Sequence, residues 1–366
     1  MSIDCDYQRW EESRKAKPAK LKESGLSFRP KLTRLSEVEP KPIDWLWSDR
    51  FAIGKYSLVS GDPGLGKSFL TVDMAARIST GREWPDQSPN IAGGVVFLTA
   101  EDDLEDTVVP RLNAAGANLS RIVAIQSVIG SDGNREFERS VSLSTDISII
   151  EEAIREVGDC RAVFIDPVSA YVGDRDSHKD ADIRGMLAPL AEMASRHRVA
   201  VIGVAHLNKN SGSSAMYRTS GSLAFTAAAR SAWVIVRDRD NPTGRRRLML
   251  PTKNNLAGDN SGLAYELRTN FNTHNQPVLA WEPDPITMSA DEALAPPDPP
   301  KKPTKTDAAI EWLTERLAGG ESVASEDLER EATERGFKSG TVMRARQCLN
   351  VQSEKIDGKW FASLPD

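Results

Sequence analysis

A chain of 366 residues has room for one large α/β domain and one small companion, and an apolar share of 39% supplies a sizeable core. The net charge of -6 excludes a surface coated in basic residues, although a local basic face stays open because the field at a site decides what binds there. Cys5, Cys160 and Cys348 are too dispersed for a disulfide framework or a zinc spacing. No apolar run nears the roughly 18 residues of a membrane span, and no signal-peptide core opens the chain, so a cytoplasmic protein without a membrane partner is expected.

In chain order, residues 1–39 read as a basic, flexible arm: between Arg9 and Arg34 only Glu11, Glu12 and Glu23 oppose the Lys and Arg residues. Residues 40–288 alternate short apolar runs with longer amphipathic ones. The strand candidates are Tyr56–Ser60, Val95–Thr99, Ile122–Ile125, Ala162–Ile165, Val199–Ala205, Ala232–Val236 and Arg247–Pro251. Helical patterns fall at Lys67–Ile78, Leu104–Ala115, Ile147–Val157 and Ile183–Arg196. Alternation of this kind predicts an α/β fold, a doubly wound and mostly parallel sheet. Residues 289–304, with five prolines among the eight residues from Pro296 to Pro303, read as a stiff linker. Periodicity returns in 305–366, a separate small domain.

The chemistry concentrates at Gly61-Asp62-Pro63-Gly64-Leu65-Gly66-Lys67-Ser68, which fits G-x-x-x-x-G-K-[ST] between a predicted strand and a predicted helix. Glycines there let backbone N–H groups turn inward around phosphate oxygens, and the helix N-terminus adds partial positive charge. Lys67 supplies a cation to the β- and γ-phosphates of ATP, Ser68 a hydroxyl for Mg²⁺, and Phe69 is counted with the nucleotide-binding residues. A second acid for Mg²⁺ is expected at the end of a buried strand, and Ala162-Val163-Phe164-Ile165-Asp166 provides Asp166. The next residue is Pro167, so the carboxylate that activates water has to come from elsewhere. Glu101, ending Val95–Ala100, is the candidate, while Asp102 and Asp103 read as the N-cap and first turn of the following helix. His206, ending the Val199–Ala205 strand, is placed to meet the γ-phosphate or its attacking water; the alternative is a capping or solvated histidine.

The order of Gly61–Ser68, Thr99-Ala100-Glu101-Asp102, Phe164-Ile165-Asp166, Ala205-His206 and Gly221…Arg230 resembles the RecA/DnaB-type ATPase core, most of all RepA-type plasmid replicative helicases and their phage relatives. The resemblance spans about Pro40 to Met288. It implies a homo-oligomeric ring, often a hexamer, with ATP between neighbours. It also implies Glu101 as catalytic base, His206 as γ-phosphate sensor and Arg230 as an arginine finger reaching the adjacent copy, a device worth about 10³–10⁵ in rate in comparable enzymes. Where DnaB-type proteins carry a Lys-x-Arg pair, this chain has Lys253-Asn254-Asn255. Lys253 fits the first position of that pair as a nucleotide contact; the arginine is missing.

By the same resemblance, single-stranded DNA would meet two loops, roughly Val172–Asp182 and Asn208–Ser222. Lys209 and Arg218 in the second are the better candidates, because the first is rich in aspartate. Residues 305–366 read as three helices, the second capped by Ser325 and the third by Ser339, followed by a hairpin turning at Asp357-Gly358. That order resembles a winged helix, with Arg344 and Arg346 on the helix that would read double-stranded DNA; such modules also dock proteins. The reading that leads is a ring-forming ATPase moving on single-stranded DNA as a replicative helicase. A recombination or loader ATPase of the RecA/RadA kind and a KaiC-like regulator are the alternatives.

Overall fold

The computed structural model describes residues 29–133, 135–173, 180–207, 223–258, 261–270, 276–295, 304–318 and 322–365. The chain divides into two units, 1–44 and 45–366. In the first, residues 29–44 are exposed and carry one short 3₁₀ turn, Leu35–Glu37, with an Arg34–Glu37 ion pair at 3.5 Å. The remainder of the expected arm, 1–28, lies outside the described residues.

The second unit opens with a small hairpin of β1 (Trp45–Trp47) and β2 (Phe51–Ala52), followed by β3 (Tyr56–Gly61) and α1 (Lys67–Thr80). Next come β4 (Gly94–Thr99), a π-helical turn at Leu104–Val108 running into α2 (Val109–Ala114), and β5 (Ile122–Ile125). A second hairpin of β6 (Val128–Ser131) and β7 (Glu136–Arg139) precedes α3 (Ile147–Val157), β8 (Cys160–Asp166), α4 (Asp180–His197) and β9 (Ala200–His206). Helix α5 (Leu223–Ala228) leads into β10 (Ser231–Arg237), β11 (Arg246–Asn254), β12 (Leu263–Asn270), β13 (Gln276–Trp281) and α6 (Ala290–Leu294).

Nine of these strands form one sheet in the order β13-β12-β11-β10-β3-β9-β8-β4-β5. From β10 to β5 every pairing is parallel, and β11, β12 and β13 add an antiparallel meander beside β10. The parallel strands are buried on both faces, which is why they read as continuous apolar runs. Alternate residues go to opposite layers. Val59, Phe97, Phe164, Ile202 and Trp233 pack under α1 and α2 with Leu70, Met74, Ile78 and Leu112. Leu58, Val96, Val163 and Val201 pack under α3, α4 and α5 with Ile150, Ile154, Leu187, Leu190 and Phe225. The sheet is therefore doubly wound, a RecA-like α/β arrangement.

Predicted and observed elements agree closely. Ile122–Ile125 and Ile147–Val157 end where the pattern puts them, and β11 overruns its apolar centre by three residues into Thr252-Lys253-Asn254. Two readings need correction. The segment 289–304 does not begin as linker: Ser289 and Glu292 form a reciprocal capping box, and α6 buries Ala290 and Leu294 beside Val234, Leu248 and Leu250 of the sheet. Residues 296–303 lie outside the described residues. Asp102 is also no cap, since its carboxylate pairs with Arg111, and Asp103 holds the N-cap position without a side-chain bond.

The C-terminal part has its own core. It contains α7 (Lys305–Arg316), β14 (Val323–Ala324), α8 (Ser325–Glu334), α9 (Ser339–Cys348), β15 (Gln352–Ile356) and β16 (Lys359–Ser363), with sheet order β14-β16-β15. Trp312, Leu313, Leu328, Val342, Ala345 and Ala362 pack together. Three helices and a hairpin follow in the order read from the sequence. Asp357 and Gly358 at φ 50° and 89° make the tight turn that a two-residue hairpin loop requires. The caps differ from expectation: Ser325 and Ser339 are first helical residues with no side-chain cap bond, and the capping box instead sits at Thr304 and Asp307.

Candidate nucleotide site

Strand β3 ends at Gly61, side by side with His206 of β9. Gly61 has no room for a side chain, because a Cβ there would lie 2.7 Å from the Ile235 carbonyl oxygen. Gly66, at φ 85°, caps α1 in the left-handed conformation that glycine adopts without strain. Between them the backbone turns so that the N-terminus of α1 faces the open end of the sheet. Leu65 packs inward, its carbonyl oxygen accepting from the Tyr265 hydroxyl at 3.4 Å, and Leu267 of the same late strand lies against Gly66. Nothing in the sequence pattern announces that β12 braces the loop. Phe69, the first residue past the motif, is covered by the Arg111 guanidinium, 4.5 Å from its ring centroid.

Lys67 is buried, and its ammonium donates to the Gly61 carbonyl at 2.8 Å and the Asp62 carbonyl at 3.0 Å and meets His206 Nδ1 at 3.2 Å. Burial holds Lys67 below the ordinary lysine range, with Asp166, Asp62 and Glu101 pulling it back up. Burial and then the Lys67 charge hold His206 below its usual range as well. Since an ammonium can only donate, the neutral His206 ring accepts at Nδ1 and carries its proton on Nε2. That nitrogen faces Glu101 Oε1 at 4.0 Å.

Asp166 ends β8, in register with Thr99 of β4 and separated from β3 by β9. Burial pushes its carboxyl up to about 6, against the opposing influence of the Ser68 hydroxyl bonded to it and of Lys67. A half-buried carboxylate that accepts from the motif serine and lies near a lysine is a site that gains from a further cation. Asp102 lies beside this group, and Arg111, which bonds Asp102 at 2.8 Å, lines a small recess with Ser68, Thr99 and Asp166. The site thus gathers Gly61, Lys67, Ser68, Glu101, Asp166 and His206 at one rim of the sheet. Arg111 is the residue that pattern reading missed, and its only trace was its place one turn past the acidic run.

The model for the AAA domain family (AAA_25) matches residues 22–212, just over half of the chain and all of this rim. The chain belongs to the AAA domain family. Nucleotide binding and a P-loop ATPase core come with that membership. Similar solved structures include the "ATPase Domain of G40P", at 13% identity and a TM-score of 0.45, covering 76% of this chain and 98% of that one. The KaiC-like protein PH0186 from Pyrococcus horikoshii OT3 is 14% identical with a TM-score of 0.45, covering 65% of this chain and 100% of that one. No curated protein matches the chain.

The other two cations expected at a nucleotide lie elsewhere in this AAA protein. Arg230 is exposed, and its amide bonds the Tyr56 carbonyl at the start of β3. Five residues of strand, about 16 Å, separate that point from Gly61. Lys253 pairs with Ala232 and through it with Leu58, two residues in from the start of β3. Arg230 therefore stands well away from a phosphate held by its own Lys67. Lys253 Nζ instead donates to the carbonyls of Thr226 and Ala227, at 3.1 and 2.8 Å. Lys209 and Arg218, and the better part of the first candidate loop, lie outside the described residues. In the C-terminal part Arg344 is exposed, whereas Arg346 is half-buried with Nε and Nη2 enclosed, lining a cleft with Thr333, Phe337 and Met343. Among the two arginines expected to meet DNA, Arg344 is therefore the more accessible.

Proposed function

We propose that this AAA protein is a ring-forming ATPase that couples hydrolysis to movement along single-stranded DNA, as a replicative helicase of the RepA kind. The observation that carries the reading is the separation of Arg230 from its own phosphate cradle. An exposed arginine fixed on the opposite rim completes a site only in a second copy, and repetition of that contact builds a ring or a helix of subunits.

Within one subunit the parts have distinct tasks. The loop Gly61–Ser68 and Lys67 hold the triphosphate, and Ser68 with Asp166 would hold Mg²⁺, which supplies charge neutralisation at the β- and γ-oxygens when bound. Glu101 takes the proton of the attacking water. His206, its Nε2–H directed toward Glu101, orients that carboxylate and meets the terminal phosphate. Arg230 of the next copy neutralises the charge that develops as the bond breaks. The division into an ATPase domain ending near 295, a proline-rich connection and a C-terminal domain fits a motor carrying a separate winged-helix module. There Arg335, Lys338 and Arg344 are the candidates for contact with double-stranded DNA, and the module's acidic remainder suits a protein partner equally well.

Hydrolysis measured with and without single-stranded DNA, together with strand displacement on a forked duplex, tests this. DNA-stimulated turnover and displacement are the expected result. Stimulation without displacement would favour a loader or recombination ATPase, and turnover indifferent to DNA would favour a KaiC-like regulator.

A further inference from the structure

Lys253 occupies the position at which the sequence suggests a phosphate contact, yet its ammonium is already engaged with its own chain. Helix α5 ends at Ala228, and the last carbonyls of a helix have no intrahelical partner and carry partial negative charge. Lys253 Nζ closes two of the last turn's carbonyls, those of Thr226 and Ala227. The residues that follow are held just as firmly. The Arg230 amide donates to the Tyr56 carbonyl at 2.9 Å, the Arg230 carbonyl accepts from the Asn255 amide at 3.0 Å, and the Thr252 hydroxyl donates to the Ala232 carbonyl at 3.1 Å. The segment Thr252–Asn255 therefore grips the turn carrying Arg230 from one side while β3 grips it from the other. Asn255, standing where related motors have an arginine, contributes its main chain to this grip.

From this geometry we infer that Lys253 is a positioning residue: it ties off α5 so that the Arg230 side chain leaves the sheet rim in one fixed direction, and it does not itself bind phosphate. The inference rests on the reading of Arg230 as the group that completes a neighbour's site. Burial, and then the like charges of Arg230 and Arg184 of α4, hold the Lys253 ammonium below the ordinary lysine range, so the two carbonyls it donates to are partners it needs.

Two measurements on the full chain test this, one of them independent of activity. Lys253→Met keeps an unbranched apolar stem and removes the donors; Lys253→Arg keeps a cation with N–H donors. In Lys253→Met, amide hydrogen exchange across 224–230 should rise clearly above the parent, and Lys253→Arg should return it. Unchanged exchange would overturn the positioning role whatever Arg230 does. The second measurement is a double-mutant cycle on hydrolysis. Lys253→Met should lower kcat by about 100-fold, as misplacement of a catalytic group does, with KM for ATP little changed. On an Arg230→Ala background it should change kcat by no more than about twofold. Losses that multiply would show that Lys253 acts on phosphate directly. If Arg230→Ala alone turns over ATP like the parent while exchange at 224–230 still responds to Lys253, the arginine reading fails and the anchoring contact survives.

Discussion

Lys67 has three N–H bonds and three acceptors on its own chain, two carbonyls and one imidazole nitrogen. Its replacement removes the cation around which the loop is folded, so Lys67→Ala should abolish hydrolysis and weaken binding of a fluorescent ATP analogue in the same titration. Glu101 lies at the same rim but faces outward, with 64% of its side chain exposed. Glu101→Gln should therefore keep nucleotide affinity and lose about 10²–10⁴ in kcat, the usual worth of a general base. Arg230→Ala should lose about 10³–10⁵ in kcat and keep a measurable residue, and it should regain part of its activity when mixed with Lys67→Ala subunits, because each supplies what the other lacks. Equal rates for Arg230→Ala and parent would remove the intersubunit arginine from the account. The positions of Lys67, Asp166 and His206 were legible because the motif loop, the acid ending a buried strand and the histidine ending its neighbour are local patterns. Arg111 was not, since its contact with Asp102 depends on how a π-helical turn rotates the helix after Glu101.

At the level of elements, the parallel strands declared themselves through uninterrupted valine and isoleucine, whereas β12 and β13 did not. Their residues are only partly apolar, and what stabilises them is pairing in the antiparallel meander. The bracing of Gly66 by Leu267 was thus invisible until the register was known. The connection between β7 and α3 offers a sharper test of energetics. Asp146, buried at the start of α3, accepts from both Arg139 guanidinium nitrogens at 2.6 and 2.7 Å and from the Ser142 amide at 2.8 Å. These bonds, Arg139 first, hold its carboxyl down to about 2. A carboxyl lowered in the folded state stabilises the fold above its unfolded pKa of about 3.9 and loses that contribution as pH falls through the folded value. Asp146→Asn should lower the melting temperature at pH 7 by several degrees, an effect of about 1–3 kcal/mol. The gap between variant and parent should shrink steadily between about pH 4 and pH 2. A gap independent of pH in thermal melts would mean the asparagine harms packing and not charge.

On the scale of the whole molecule, activity should depend on concentration if no copy holds a complete site. Specific activity is expected to rise with protein concentration and then plateau, in step with assembly followed by light scattering; a rate per subunit that stays constant on dilution to monomers would contradict the reading. Length and composition left room for one large sheet domain and a small companion. They did not show where the first ends, because Ser289–Leu294 looks like the beginning of a linker until α6 is seen lying on the sheet. The placement of the phosphate cradle at the rim where β3 ends and of Arg230 at the rim where β3 begins has one more consequence. If Arg230 completes a neighbour's pocket, each subunit has a giving face and a receiving face that are different surfaces. A twofold pair could then serve both pockets only where one seam held the giving and the receiving face of each copy together. Head-to-tail association carries no such condition, and it ends in closure of a circle or continues as a filament.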